Sequence, residues 1–225
     1  MVEQTGSTNA DMLHDPAAIE GDWLVARFQS SGRGRHGRAW ASIPGNFFGS
    51  TLVLIRADDP AASTLSLVAG LALFEAVEQV APSADLALKW PNDLMSGGAK
   101  LAGILLERQG DKVVVGIGVN LAGAPDLAER KVASLDGSVA PESFAQLLSG
   151  RFAEWLETWR RADAIAIREA WLSCAHPIGS ALSVHGGPDQ RVDGRFAGIE
   201  ADGAMRLQRE DGSIELIRAG DVQLG

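Results

Sequence analysis

At 225 residues and a formal net charge of −9, the chain can bury a substantial core in one large domain or in a main domain with a small appendage. The acidic balance opposes a broad basic face for nucleic acid, so any nucleotide bound here is expected to be a small one. One cysteine, Cys174, excludes an intramolecular disulfide and a multi-cysteine zinc site. The four histidines (His14, His36, His176, His185) lack metal-ligand spacing, so no structural metal is expected. With no basic-then-apolar leader and no run of roughly 18 consecutive apolar residues, the expectation is a soluble cytoplasmic protein without a membrane partner.

Ser7-Thr8-Asn9 predicts the start of a short helix running to about residue 14 before Pro16. Apolar runs at 23–29 and 47–55 read as strands, and Asp58-Asp59-Pro60 turns the chain into a helix over about 61–80 that is apolar around most of its circumference. Short strands follow at 86–90, 93–95, 100–107 and 113–120. Gly97-Gly98 and Gly110-Asp111 are their turn signals, so sequential antiparallel hairpins are expected. Pro141 suits the first position of a helix whose Phe144, Leu148, Phe152, Trp155 and Trp159 recur at helical spacing to residue 160, and a second helix covers about 163–174. Beyond Pro177 the pattern changes to short alternating runs at 181–185, 191–199, 205–208, 214–218 and 222–224, broken by Gly186-Gly187-Pro188, Asp202-Gly203 and Asp211-Gly212. That is the pattern of a small antiparallel barrel. The expected fold class is α+β: a mixed, largely antiparallel sheet flanked by helices over residues 1–176, and a small β-domain over 177–225.

The most informative segment is Gly32-Arg33-Gly34-Arg35-His36-Gly37-Arg38-Ala39-Trp40, which puts three arginines and three glycines into one loop of an acidic chain. Glycine permits close backbone approach, and the guanidinium fork matches phosphate or carboxylate oxygens. The loop is no Walker sequence and no dinucleotide fingerprint, since neither Gly-Lys-Ser/Thr nor a helix follows it directly. Its bland alternative is a solvated hairpin tip. Lys89-Trp90-Pro91-Asn92-Asp93 reads either as turn chemistry or as charged groups projecting from the sheet edge. Lys100, before Leu101-Ala102-Gly103-Ile104-Leu105, reads as an edge charge at the mouth of an apolar strand, dispensable to the core. The two glycines of Gly116-Ile117-Gly118-Val119-Asn120 signal another body lying against that strand, or a bulge. His36 reads as a solvated loop histidine and Cys174 as a small core residue.

In this order, Ser7-Thr8-Asn9, Gln29, the Arg-Gly loop, Lys-Trp-Pro-Asn-Asp, Lys-Leu-Ala-Gly-Ile-Leu and Gly-Ile-Gly-Val-Asn resemble the biotin protein ligases over about residues 5–120. The region after 177 is similar to that family's C-terminal SH3-like domain. The resemblance implies activation of biotin with ATP to biotinyl-5'-adenylate, with Mg²⁺, and transfer of biotin to a lysine of a biotin carboxyl carrier protein. By motif position it implies biotin contacts from Ser7, Thr8, Asn9, Gln29, Arg33, Gly34, Arg35, Lys100 and Gly103. ATP contacts fall on Arg35, Arg38, Trp40, Lys89, Asn92 and Asn120. Lys100 and Arg35 are the implied catalytic cations, and Asp93 is implied to aid Mg²⁺ through water or to assist the acceptor amine.

The chain starts almost directly at Ser-Thr-Asn, so an enzyme without operator binding, free of nucleic acid and compatible with a homodimer, is expected. Two departures bear on ligand affinity: His36 stands where arginine is frequent, and Asn46-Phe47-Phe48-Gly49-Ser50 replaces a tyrosine-containing segment. Lipoate ligase or octanoyl transferase is the related alternative, against which the Arg-Gly loop and the Ser-Thr-Asn/Gln29 set favour biotin. A nonenzymatic binder of RNA or an anionic protein is the unrelated one, disfavoured by the net charge and by a loop without interleaved aromatics.

Overall fold

The computed structural model describes residues 1–127, 131–137, 139–187 and 190–224. Its main sheet has seven strands: β1 (Val2–Thr5), β2 (Trp23–Gln29), β3 (Phe47–Leu54), β4 (Leu86–Lys89), β5 (Asp93–Ser96), β6 (Ala99–Gln109) and β7 (Lys112–Val119). They lie in the order β1-β2-β3-β7-β6-β5-β4. Every pairing is antiparallel except β1 with β2, which makes the sheet mixed. The hairpins of β4 to β7 follow their turn residues: Gly97 and Gly98 carry φ of 56° and 75°, which L side chains rarely adopt. β1 was not expected from the sequence. It is a four-residue edge strand with mostly exposed side chains, so neither its length nor an apolar alternation marks it.

Among the described residues four α-helices cover the sheet: α1 (Thr8–His14), α2 (Leu65–Val80), α3 (Pro141–Arg160) and α4 (Ala164–Cys174). Alternation along β7 shows why both faces are covered. Val113, Val115 and Ile117 join the large core with α2, α3 and α4, whereas Val114 points the other way to Met12 of α1 and Leu52 of β3. The segment Ala62–Val80 is interrupted by polar residues, yet by length and composition it is long and apolar enough to cross a membrane. In this fold it is the central core helix, with Leu65, Val68, Ala69, Ala72, Leu73 and Val77 fully covered.

After α4 the chain forms a second, antiparallel sheet of β8 (Ala181–Gly187), β9 (Gln190–Ile199), β10 (Met205–Gln208), β11 (Ile214–Ile217) and β12 (Asp221–Leu224), ordered β11-β10-β9-β8-β12. It matches the SH3-like expectation but is not a closed barrel. Among the described residues β11 and β12 are the two edges: β12 pairs along its length with β8, and the Gly220 and Val222 carbonyls beside and within it accept from Arg35 and Lys89 of the main domain. The two sheets share one core: Phe196 packs edge-on against Trp171 and 4.4 Å from the His176 ring, and Trp90 Nε1 donates to the Gly203 carbonyl at 2.9 Å.

Candidate active site

The face of the main sheet that α1 leaves uncovered forms the floor of a cavity of about 1000 Å³, walled by the Arg-Gly loop and by β12. At one end, Ser7 caps α1 by accepting from Ala10 N–H. The next residue, Thr8, donates both its N–H (2.8 Å) and its hydroxyl (3.1 Å) to Gln29 Oε1. Gln29 thereby keeps its Nε2 group as the end able to donate to a ligand. Asn9 lies over Gly116, where any Cβ would collide with its amide. Its Oδ1 accepts from Ser50 at 2.6 Å, and its Nδ2 donates to the Leu105 carbonyl at 3.2 Å and to Glu107 Oε2 at 2.8 Å.

The Arg-Gly loop folds as a tight hairpin rather than a solvated tip. Gly34 N–H donates to the Arg38 carbonyl and Trp40 N–H to the Gly32 carbonyl, while His36 at the turn takes φ 56° and stays mostly exposed. Arg33 reaches Glu107 at 3.3 Å. Arg35 is well covered and donates to Asn92 Oδ1 at 3.3 Å and to the Gly220 carbonyl at 3.2 Å. Arg38 grips Asp221 with both prongs of its fork. Burial pushes the Asp221 carboxyl up, but the Arg38 hydrogen bond and the charges of Arg38 and Arg35 outweigh it and hold the group below the usual carboxylate range.

Trp40 closes the middle of the site. Its indole lies on Gly103 and Gly118, which face each other across β6 and β7, and the Lys100 ammonium sits 5.5 Å from the ring centroid. A Cβ on Gly118 would lie 2.5 Å from Trp40 Cε2, so the strand glycines of the sequence mark a close approach by side chains, not a bulge.

The last wall contains Lys89, Asp93 and Lys100. Asp93 is buried, with Lys89 at 3.1 Å from Oδ2 and Lys100 in direct ion pairing with Oδ1. Burial pushes Asp93 up, yet the two ammonium groups win and keep it ionised below its ordinary range. One expectation is corrected here. Lys100 is no exposed edge charge, since it is only 9% exposed and packed in this triad. Asp93, expected to aid Mg²⁺ through water or to assist the acceptor amine, has both carboxylate oxygens paired with lysine ammonium groups. Among the described residues no group of three or more His, Cys, Asp or Glu could hold a metal ion.

Every residue that the sequence singled out for biotin, ATP or catalysis lines this one cavity, Arg35 and Lys100 included. Several are engaged by protein. Asn92 donates to the Ile104 carbonyl while receiving Arg35, and the Asn120 amide is held between the Ala133 carbonyl and Asn46. Sequence reasoning missed Glu107 and Asp221, and named Ser50 only as the end of the Asn46-Phe47-Phe48-Gly49-Ser50 departure. Ser50 and Glu107 look like ordinary strand residues, and Asp221 comes from the second sheet, so only the fold reveals their partners.

A family model described as the biotin/lipoate A/B protein ligase family matches residues 2–122, and one described as the biotin protein ligase C terminal domain matches residues 178–225. A biotin–[acetyl-CoA-carboxylase] ligase of Paracoccus denitrificans is 39% identical over 241 residues, covering 100% of both chains. One of the same name from Mycobacterium tuberculosis is 36% identical over 99% of this chain and 87% of its own. Among solved structures, a biotin protein ligase from Aquifex aeolicus in complex with biotin and ATP superposes with a TM-score of 0.87 at 26% identity, covering 100% of this chain and 97% of that one.

Proposed function

Since this chain belongs to the biotin/lipoate A/B protein ligase family, we propose a division of labour among its residues for the reaction that membership carries. The chain is a biotin protein ligase: with ATP it converts biotin to biotinyl-5'-AMP, releasing pyrophosphate, and transfers biotin to a lysine of a biotin carboxyl carrier protein. The match to the biotin ligase C-terminal domain favours biotin over lipoate.

Thr8, Gln29 and Asn9 form the polar end that takes the ureido ring, with Ser7 holding α1 in place. Arg33, Gly34 and Arg35 cover biotin and its adenylate, while Gly103 leaves space beside Trp40. Trp40 packs on the adenine. Arg38, Lys89, Asn92 and Asn120 form the nucleotide wall, Asn92 acting in part by aiming Arg35. In the first step a biotin carboxylate oxygen bonds to the α-phosphorus of ATP as pyrophosphate leaves. Two anions must approach, and Lys100 and Arg35 supply fixed positive charge there without reorganisation. In the second, the carrier amine bonds to the acyl carbon, AMP departs, and the amine releases its proton to solvent or phosphate.

Asp93 is best read as the residue that positions Lys89 and Lys100. Mg²⁺ would accompany ATP as an accessory ion and supply positive charge toward its phosphates, with Asp93 near enough to act on it through water. The absence of nucleic acid from this reading is supported by the net charge, and a homodimer by the unpaired β1 edge with exposed Val2 and Phe28. Work in the cytoplasm completes it.

The observation that carries the reading is the single cavity holding Arg35 and Lys100 between a hydrogen-bonding end and a cationic end. Biotin-dependent exchange of labelled pyrophosphate into ATP tests it, with lipoate as competitor. Exchange that needs biotin and resists lipoate is expected; exchange driven by lipoate would replace the assignment.

A further inference from the structure

We infer that Glu107, which does not line the cavity, is a positioning residue that fixes how Asn9 and Arg33 face biotin, an inference that rests on the biotin-binding end assigned above. Glu107 stands on β6 and offers acceptors only. Oε2 takes the Asn9 Nδ2 hydrogen bond at 2.8 Å and Oε1 faces Arg33 Nη2 at 3.3 Å. An asparagine amide can turn either way, and here the turn is decided by partners. With both Nδ2 hydrogens committed, to Leu105 O and Glu107, the amide is left with Oδ1 as its end of spare capacity, held over Gly116 and already receiving Ser50. The site therefore presents an acceptor there, which suits a ligand carrying ring N–H groups, such as a cyclic urea, and disfavours a plain acyl chain.

The same carboxylate ties the first arginine of the loop to β6, a strand of the cavity floor. One anionic side chain thus links the end that recognises the ring to the loop that covers the adenylate. Ser50 extends the link. Its hydroxyl lies 2.6 Å from Asn9 Oδ1 and 2.7 Å from Thr8 Oγ1, and Thr8 continues to Gln29. A hydroxyl has one hydrogen to give, so with Ser50 donating to Asn9 Oδ1 the orientation set at Glu107 extends as far as Ser50.

The test is steady-state kinetics with release of biotinyl-AMP from the enzyme, on the full chain. Glu107→Leu is expected to raise KM for biotin ~10-fold, the loss of a charged hydrogen bond, with KM for ATP changed less than ~2-fold and faster adenylate release. Glu107→Gln keeps an acceptor for Asn9 but lacks the charge facing Arg33. It should release adenylate faster while KM for biotin stays near wild type, and adding Arg33→Gln to it should speed release no further. Unchanged KM for biotin in Glu107→Leu, or equal rises for biotin and ATP alongside a lower melting temperature, would overturn the inference. Thr8→Val separates the underlying assignment. If that variant binds biotin normally, the recognition end is misplaced; if it weakens biotin while the Glu107 variants do not, only the role of Glu107 falls.

Discussion

Arg38 and Asp221, 183 positions apart in the chain, meet as a two-pronged ion pair, Nη1 at 2.9 Å from Oδ2 and Nη2 at 2.9 Å from Oδ1. The contact joins the Arg-Gly loop to the first residue of β12, and the neighbouring Gly220 and Val222 carbonyls accept from Arg35 and Lys89. The second sheet thus supplies partners to three cations of the site. The Arg38 guanidinium fork is thus oriented by a carboxylate of the second sheet.

Asp221→Asn should loosen that tie. The pair is partly exposed and worth roughly 0.2–1 kcal/mol, so amide exchange across residues 30–40 without ligand is expected to rise by up to about fivefold. The folded Asp221 titrates below its unfolded value, so its contribution is fully present above the ordinary carboxylate pKa and fades as pH falls through the depressed value. Loop protection should therefore be level across neutral pH and drop only in acid. Protection identical in the variant and the parent would remove the tie from the account.

The buried triad gives a second expectation, read by chemical denaturation. In Lys100→Ala the Asp93 carboxylate keeps Lys89 at 3.1 Å, so the stability loss is modest. Removing both lysines leaves a buried carboxylate uncompensated, which costs about 3–5 kcal/mol, more than the two single losses together. Asp93 is likewise depressed on folding, so the parent's advantage over the double variant holds at neutral pH and disappears as pH falls through the native Asp93 pKa. Additive losses would show that the lysines do not share Asp93.

Much of this was open to sequence reading because the elements have local causes. The hairpin turns Gly97-Gly98 and Gly110-Asp111, the Pro141 start of α3 and the Trp/Phe stripe of that helix all sit in the structure at their expected places. The site was legible as loop and strand-end motifs, and Gly118 even announced a close neighbour. The identity of that neighbour was hidden, since Trp40 reaches Gly118 only after β6 and β7 pair Gly103 with it. The burial of Lys100 was hidden for a similar reason. Its burial comes from pairing with a residue seven positions away across a hairpin, and spacing alone cannot tell a solvated lysine from a compensated one. The open second sheet also depended on long-range contacts, those that draw Gly220 and Asp221 to the loop.

Two glycines of the cavity floor have different neighbours, Gly116 lying under Asn9 and Gly118 under Trp40. Gly118→Ala would thrust a methyl group into the Trp40 indole and is expected to raise KM for ATP by ~10-fold or more, as the stacking surface shifts. Gly116→Ala would displace the Asn9 amide instead and raise KM for biotin preferentially. Steady-state kinetics on both variants reads the split. The same change in both constants for both variants would mean that the floor serves folding alone.

In the proposed mechanism Lys100 supplies the positive charge under which a biotin carboxylate joins the α-phosphate of ATP. Single-turnover formation of biotinyl-AMP, followed in Lys100→Ala beside the parent with folding verified by circular dichroism, measures it most directly. Loss of one preorganised charge predicts adenylate formation slowed about 10²–10³-fold in a folded variant. Adenylate formed at the parent rate would contradict the account.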